Sequence, residues 1–446
     1  MADEVPTYSP ENFPNTPDED PFENARKIGK TNLLQWMEIT VVEPEKRTTS
    51  SMKMQDTFIV YLVETRITDN NIKCSGDGTT SLWRRYNEFE LLRSYLESIY
   101  PAMVIPPLPE KKELWQYTHI PTLLLDMKAS YTWQNSATDK FDAEFIERRR
   151  AALEIFLLRV AAHPLLSQDK IFIGFLQKED GWKDSVYATD FLSKGESRLK
   201  ALNASFRLKK PDRRFEELKN YGNEIQCNIA NILKLRAKLA DRQYGIHKVH
   251  GNFGRVFCEL SGIEKDMVDQ LQSAGHYMNV YSEAVDGILE EEEQYSDQLK
   301  EYLAFGDSLR AVCRKYECIQ YDVEKVEDNL AYKQNQKDML LQGKTGGSFS
   351  LSGMKKAIFG GDTPEQREQK IKQLDEQIKQ TEQELQQVNT DAQKFIDAAL
   401  RDIDRFKRQK TKDLKEIFTN YAIMQIKTCK KGIAIWTSAK DCFAKM

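Results

Sequence analysis

Two arginines and a tyrosine are adjacent at Arg84-Arg85-Tyr86, and Lys111 follows the proline-rich string P-P-L-P-E. The first three residues lie where a predicted strand ends and a helical pattern begins. A guanidinium is a planar fork that can bond two phosphate oxygens at once, and Tyr86 offers a flat apolar face to a sugar-like ring. The combination fits an anionic, ring-shaped headgroup. The alternative is an ordinary pair of surface arginines in a strand, because short motifs also match by chance.

A third group of cations opens a second helix at Glu147-Arg148-Arg149-Arg150. The helical spacing of the apolar residues that follow predicts one buried face. The first-turn arginines then lie at the helix entrance, where backbone N–H groups also favour anions. Taken alone, such a run is usually solvated surface. The apolar positions of this helix are Leu153, Phe156, Leu157 and Val160.

The three pieces together resemble a PX domain, the phosphoinositide-binding module of sorting nexins, over about residues 33–183. The resemblance implies a role for each of four residues. Arg85 holds the 3-phosphate and Tyr86 stacks on the inositol ring. Lys111, which closes the P-x-x-P-x-K loop, meets the 1-phosphate, and Arg149 contacts the inositol hydroxyls. The expected ligand is therefore phosphatidylinositol 3-phosphate, an endosomal lipid.

Composition limits the other possibilities. The chain has 446 residues, enough for two or three domains, and its net charge of −4 means that any attraction to an anionic membrane must come from local patches. No apolar run is long enough to span a bilayer, and the first residues do not resemble a signal peptide. The seven scattered cysteines and five histidines form no metal or catalytic pattern. We therefore expect a protein that is not an enzyme, with no cofactor, metal or nucleic-acid partner.

The N-terminal part divides into a tail and an α+β domain. Residues 1–25 contain seven acids, five prolines and no Lys or Arg, which predicts a disordered acidic tail over 1–30. Apolar and β-branched runs, then helical patterns, predict the PX domain over 31–183, a small antiparallel sheet with helices. The predicted strands are 33–42, 57–68 and 81–85, and the predicted helices are 87–99, 141–162 and 167–177.

The C-terminal part, 212–446, is predicted to be almost wholly helical, since Pro364 is the only proline after Asp212. Pro364 follows Thr363 and precedes a Gln at the capping-box position, so it begins a helix. We predict three long helices near 213–272, 275–341 and 363–443. The third carries heptad-like apolar residues from Ile371 to Phe406. Three long helices that dimerise into a bundle resemble a BAR domain.

Two further segments have the composition of membrane-contacting surface. The long connection after Lys111 is rich in Trp and Leu. Its Leu124 is a candidate for insertion into the bilayer interface. The alternative is that Leu124 and its apolar neighbours pack back on the domain. The linker 184–211 alternates apolar and basic residues. In BAR-type sorting nexins a helix here inserts as a wedge, which implicates Leu202 and Phe206; the alternative is that it covers the joint between domains.

Cations on the third long helix form a stripe at steps of three and four residues, which places them on one helical face. Arg405, Arg408 and Lys412 are its candidates for contact with anionic lipid. Because acids such as Asp402 and Asp404 are interspersed, the stripe also fits a solvated flank with intrahelical ion pairs.

A PX domain followed by a BAR domain is the layout of the membrane-bending sorting nexins, and segments such as V-H-G-N-F-G-R-V-F place the resemblance in one subgroup. The resemblance implies a cytoplasmic protein, peripheral on early and recycling endosomes. It implies cargo sorting, assistance to autophagy, and a homodimer or a heterodimer with another BAR-type sorting nexin. The competing hypothesis is a helical endosomal scaffold or tether, recruited by its lipid site without bending the membrane.

Overall fold

The computed structural model describes residues 21–22, 25, 29–51, 54–72, 78–109, 143–191, 208–342 and 363–444. The chain divides into two compact units. Unit 1 comprises 1–96 and 139–191, and unit 2 comprises 97–138 and 192–446. No helix among the described residues is both long enough and apolar enough to cross a membrane.

Unit 1 is built on an antiparallel sheet with strand order β1-β2-β3. The strands are β1 (Met37–Ser51), β2 (Met54–Ile67) and β3 (Thr79–Arg85). β1 begins later than predicted because Leu33–Gln35 forms a 3-10 turn. The register places Val60 opposite Arg85 and Tyr61 opposite Arg84. Since side chains alternate between the two faces of a strand, these two arginines leave the sheet on opposite sides.

Among the described residues between β3 and position 191, the chain forms four helices of more than one turn: α1 (Tyr86–Ile99), α2 (Ala143–Ala162), α3 (Lys170–Gln177) and α4 (Trp182–Ala188). The first three confirm the predicted helices, and α4 was not predicted. α3 begins only after a 3-10 turn, because the Asp169 carboxylate caps it by accepting hydrogen bonds from the N–H groups of Ile171 and Phe172. The fully buried core of unit 1 comes from sheet and helices: Tyr61, Val63, Phe89, Leu92, Leu96, Leu153, Leu157, Val160, Phe172 and Phe175.

The part of unit 2 that the structure describes forms three long helices, as predicted: α5 (Arg213–Ser261), α6 (Val268–Leu341) and α7 (Pro364–Phe443). α7 starts at Pro364 with the predicted capping box between Thr363 and Gln366. At 1.5 Å per residue its 80 residues span about 120 Å. The predicted end of α5 and the predicted start of α6 are wrong. Gly262 caps α5, and a 3-10 turn at Lys265–Met267 leads into α6 earlier than expected.

The three helices pack along apolar stripes. On α7 the predicted stripe is half-buried at Ile371 and buried at Phe395 and Phe406. Side chains from all three helices share one core: Phe215, Leu218 and Leu233 from α5, Tyr302, Phe305 and Leu309 from α6, and Phe395, Ile403 and Phe406 from α7. Burying an aliphatic or aromatic side chain of this size contributes about 1.5–3 kcal/mol, so this core sets the register of the helices.

α5 and α6 approach closely at a pair of glycines. A Cβ on Gly254 would lie 2.9 Å from the carbonyl oxygen of Gly275, and a Cβ on Gly275 would lie 2.8 Å from that of Gly254. Both distances are shorter than a real Cβ tolerates, so neither helix accommodates a side chain without moving. Gly245, which like Gly254 lies on α5, has no other atom within 4 Å of where its Cβ would be.

We expect Gly254→Ala to destabilise the helical unit by about 1–3 kcal/mol, because the added methyl group pushes two backbones apart. Gly245→Ala is the matched control and should leave stability unchanged or raise it by about 0.5–1 kcal/mol, since Ala favours helix. Thermal unfolding followed by circular dichroism measures both. Equal melting temperatures for the two variants would contradict the close helix crossing.

Candidate functional site

The first arginine of the pair at the end of β3 is structural. Arg84 is 1% exposed. Its guanidinium donates hydrogen bonds to the carbonyl oxygens of Phe175 (2.7 Å from Nη2) and Glu179 (3.2 Å), and also to that of Lys178. It lies 5.4 Å from the Trp182 ring centroid. Burial lowers the pKa of Arg84, and nearby carboxylates partly offset this. Arg84 thus ties β3 to the α3–α4 connection and offers nothing to a ligand.

The second arginine is exposed and available. The Arg85 guanidinium carbon lies 3.4 Å from the centroid of the Phe58 ring, on the face of the sheet that also carries Val60. Its backbone N–H donates to Glu88 Oε2 at 2.7 Å, which helps to cap α1. Among the described residues, the Arg85 guanidinium forms no ion pair and no hydrogen bond. Ring stacking therefore orients this group and leaves its N–H edge for an anion.

Tyr86 and Arg149 come together from two different helices. Tyr86 is the first residue of α1 and is 9% exposed. The Arg149 guanidinium, from α2, lies 4.6 Å from the Tyr86 ring centroid and 4.4 Å from that of Phe145. It also lies against Tyr61. Burial raises the pKa of the Tyr61 phenol, and attraction to Arg149 partly offsets that rise. The face of Tyr86 that was expected to meet a sugar ring is thus covered by a guanidinium.

The other two arginines of the R-R-R run have partners within unit 1. Arg148 pairs with Glu144 one turn earlier. Arg150 pairs with Glu147 at 2.8 Å and also donates to the carbonyl oxygen of Val41, so it joins α2 to the edge of the sheet. Of the three arginines at this helix start, Arg149 is the one that lies beside Tyr86.

Sequence reasoning missed two aromatic residues that orient these cations. Phe58 stacks on Arg85. Alternation along β2 could have indicated this contact, because it puts Phe58 on the same face as Val60, the residue opposite Arg85. Phe145 stacks on Arg149. Their spacing of four residues on one helix could have indicated this contact, because side chains at that spacing are neighbours. Lys111 and Leu124, and likewise Leu202 and Phe206 of the linker, lie outside the described residues.

A cleft of about 290 Å³ opens in the same unit, between the first two strands and the start of α2. Its lining is mainly apolar, with one Lys and one Glu. The lining residues are Pro44, Lys46, Ile59, Ala143, Ile146 and Glu147.

A family model described as the PX domain matches residues 72–179. The protein called sorting nexin-4 from Homo sapiens is 52% identical over 418 residues, which is 93% of this chain and 88% of that protein. The Bos taurus protein of the same name is 53% identical with the same coverage. The chain is a sorting nexin. The subgroup indicated by the segment V-H-G-N-F-G-R-V-F is also confirmed, since both relatives are called sorting nexin-4.

A solved structure agrees with this sorting nexin in fold. The SNX-BAR protein Mvp1, solved as a tetramer by cryo-EM, superposes with a TM-score of 0.58 at 17% identity, covering 90% of this chain and 99% of that chain. The α+β PX domain followed by a helical BAR region is therefore confirmed. Members of this family are non-enzymatic adaptors that bind phosphoinositide membranes, associate peripherally with endosomes, act in membrane sorting, and dimerise.

The predicted basic stripe of the sorting nexin is only partly available to a membrane. Arg405 is half-buried, and its Nε donates to the carboxylate of Asp402 at 2.6 Å. Arg408 and Lys412 are exposed. Lys407, between these positions, lies 5.0 Å from the ring centroid of Tyr221. Contact of Arg408 and Lys412 with lipid stays a prediction, whereas Arg405 has a structural partner.

The sorting nexin also exposes a band of large apolar side chains at the C-terminal ends of α5 and α7. Ring contacts connect the two helices. His250 lies 5.7 Å from Trp436, and Phe257 lies 5.9 Å from Phe443. Burial lowers the pKa of His250, so its ring is neutral near pH 7 and suits an apolar contact. This apolar surface comprises Tyr244, Ile246, Val249, Phe253, Val256, Leu260, Ile263, Ile423, Ile426, Ile433, Trp436 and Phe443, all at least 38% exposed.

Proposed function

We propose that this sorting nexin binds phosphatidylinositol 3-phosphate, with Arg85 as the ligand of the 3-phosphate. The observation that carries the proposal is the exposed Arg85 guanidinium, stacked on Phe58 and without an ion pair among the described residues. A single oriented guanidinium suits one phosphate, because its planar fork makes two parallel charge-assisted hydrogen bonds.

Two neighbours complete the proposed headgroup site. Arg149 and Tyr86 supply a stacked cation and ring beside the end of β3, where the inositol ring and its hydroxyls would lie. Entry of the inositol ring requires Arg149 to shift from the face of Tyr86, or to remain there and present its edge to the hydroxyls. Lys111 is the proposed ligand of the 1-phosphate.

The proposal extends to what the helical unit does at the membrane. A dimer carries two headgroup sites to the same membrane, which strengthens weak single contacts, and exposed cations such as Arg408 and Lys412 would add attraction to anionic lipid. Leu202 and Phe206 of the linker 184–211 act as a wedge, and Leu124 enters the interface beside the headgroup. The protein thereby senses or generates curvature.

In the cell, we assign this activity to protein sorting and recycling on early and recycling endosomes, and to autophagy. Its partners are the inositide membrane, cargo proteins, and either a second copy or another BAR-type sorting nexin. The proposed domains are the tail 1–30, the PX domain 31–183, the linker 184–211 and the BAR domain 212–446.

Vesicles that each contain one inositide isomer test the proposal with the full chain. We expect the strongest capture by phosphatidylinositol 3-phosphate vesicles, and tubules in electron micrographs of those samples. Equal capture by unphosphorylated phosphatidylinositol would refute the headgroup site. Strong, isomer-selective capture with clustered, round vesicles would instead support the tether hypothesis.

A further inference from the structure

Two arginine side chains cross the same face of the sheet in unit 1, and among the described residues only one of them pairs with an acid. Arg47 of β1 lies directly opposite Phe58 of β2, and Phe58 is the ring on which the Arg85 guanidinium stacks. The Arg47 guanidinium carbon lies 4.5 Å from the ring centroid of Trp83, which is two residues before Arg85 on β3. Directly opposite residues share a face, and so do residues two apart on one strand. Each arginine therefore stacks on a ring that neighbours the other arginine.

Glu45 contacts Arg47 along the edge that would otherwise bind a phosphate. Arg47 donates to Glu45 Oε2 from Nε at 3.0 Å and from Nη2 at 2.8 Å. A guanidinium uses such a pair of donors when it binds phosphate with two parallel hydrogen bonds. The side chains of Arg47 and Glu45 are 39% and 50% exposed, so both lie within reach of a soluble ligand. Arg47 thus resembles Arg85 in its ring stacking and differs from it in being neutralised by a carboxylate.

The register of the sheet places this carboxylate close to the candidate headgroup site. Glu45 lies opposite Val60, and Val60 lies opposite Arg85. Adjacent strands are about 4.8 Å apart, so the Cα atoms of Glu45 and Arg85 are about 10 Å apart. A phosphate monoester carries close to two negative charges at neutral pH. A second phosphate on the Arg47 side of this patch would meet the Glu45 carboxylate, and the like charges repel each other.

We propose that Glu45 is a specificity-determining residue of the headgroup site. It occupies the binding edge of Arg47 and adds a negative charge beside it, so the site accepts an inositol ring with one phosphate monoester and disfavours a ring with two. Selectivity is a difference between two affinities, and a group that repels the competing ligand creates it as effectively as a contact with the preferred one. This inference rests on the proposed function, because it concerns the same site and names the class of inositide that is excluded.

Three variants of the full chain test the proposal. Glu45→Gln removes the charge and keeps the size of the side chain. Glu38→Gln is the matched control, because Glu38 lies near the start of the same strand, has a side chain that is also 50% exposed, and also pairs with an arginine, Arg66. The third variant combines Glu45→Gln with Arg47→Gln, which removes the cation that the first substitution releases.

Isothermal titration calorimetry measures the affinity of each variant for three soluble headgroups. These are inositol 1,3-bisphosphate, inositol 1,3,4-trisphosphate and inositol 1,3,5-trisphosphate, in which the 1-phosphate represents the phosphodiester of the lipid. The quantity compared is the ratio of the affinity for each trisphosphate to the affinity for the bisphosphate. A ratio isolates selectivity from any change that affects all three ligands equally.

We expect Glu45→Gln to raise this ratio at least about threefold for one or both trisphosphates, since an exposed ion pair of this kind contributes up to about a factor of five. Glu38→Gln should keep the ratio of the parent. The double variant should lose the gain, because the released Arg47 guanidinium is the ligand of the second phosphate. Thermal unfolding should show melting temperatures close to that of the parent, since both acids lie on the surface.

Several results would overturn the proposal. They are an unchanged ratio in Glu45→Gln, an equal gain in Glu38→Gln, and a gain that persists after Arg47 is removed. The last two would show a general effect of net charge in place of a released ligand. A parent protein that binds no inositol phosphate would refute the proposed function and this inference with it. A parent that binds inositol 1,3-bisphosphate, with an unchanged ratio in Glu45→Gln, would refute the inference alone.

Discussion

Replacing Arg85 with Gln should lower capture by phosphatidylinositol 3-phosphate vesicles roughly ten- to a hundredfold. A hydrogen bond to a charged group contributes about 1.5–3 kcal/mol, and each 1.4 kcal/mol is tenfold in affinity. The Arg85 side chain is exposed, and its guanidinium stacks on Phe58 without a hydrogen bond or ion pair among the described residues. We therefore expect the melting temperature of the variant to stay close to that of the parent. Vesicle sedimentation and thermal unfolding of the same preparations measure the two effects.

The controls for this variant come from the same sheet. Arg66 is 63% exposed and pairs with Glu38, so Arg66→Gln removes one surface charge without touching the candidate site. It should bind as the parent does. Arg84→Gln should give the converse result, with a lower melting temperature, because it leaves the carbonyl oxygens of Phe175 and Glu179 without their donor. Normal capture by Arg85→Gln would remove the basis of the proposed function.

The contrast between Arg84 and Arg85 shows where sequence reasoning ends. The motif located the strand-to-helix junction correctly, and alternation along β3 requires that neighbouring side chains leave on opposite faces. The sequence alone does not show which face of the sheet packs against α3 and α4. That is decided by Phe175 and Trp182, which follow some 90 positions later and pack around Arg84. One arginine of the pair is consequently structural.

Local signals predicted the helical unit well. Pro364 with its capping box fixed the start of α7, because the cap is formed by residues adjacent in sequence. The turn between α5 and α6 was misplaced, since Gly262 is one of several glycines and only the fold distinguishes the cap from the crossing at Gly254. The burial of Val104 beside Asp402 could not be predicted either, because the two residues are 298 positions apart in the sequence and only the fold brings them together.

The second large effect is expected at the apolar surface on α5 and α7. Phe253 is 52% exposed and Trp436 46% exposed, and both lie beside His250. Contiguous exposed aromatic residues of this kind mark an interface, and dimerisation is a property of this fold. We expect Phe253→Glu combined with Trp436→Glu to convert the dimer to a monomer, because two desolvated carboxylates would face an apolar partner. Light scattering after gel filtration measures the mass.

Loss of the dimer should weaken binding to vesicles far more than binding to the soluble headgroup. Pairing two sites on one membrane raises the overall affinity by about a hundredfold or more, so the monomer should bind vesicles that much more weakly and form no tubules. Its affinity for soluble inositol 1,3-bisphosphate should equal that of the parent, since Arg85, Tyr86 and Arg149 lie in unit 1 and are untouched. Tyr332→Glu, at a 62% exposed residue of α6 outside the apolar surface, should remain dimeric. A double variant that stays dimeric would move the interface elsewhere. A monomer that still forms tubules would show that curvature arises from insertion of the linker alone.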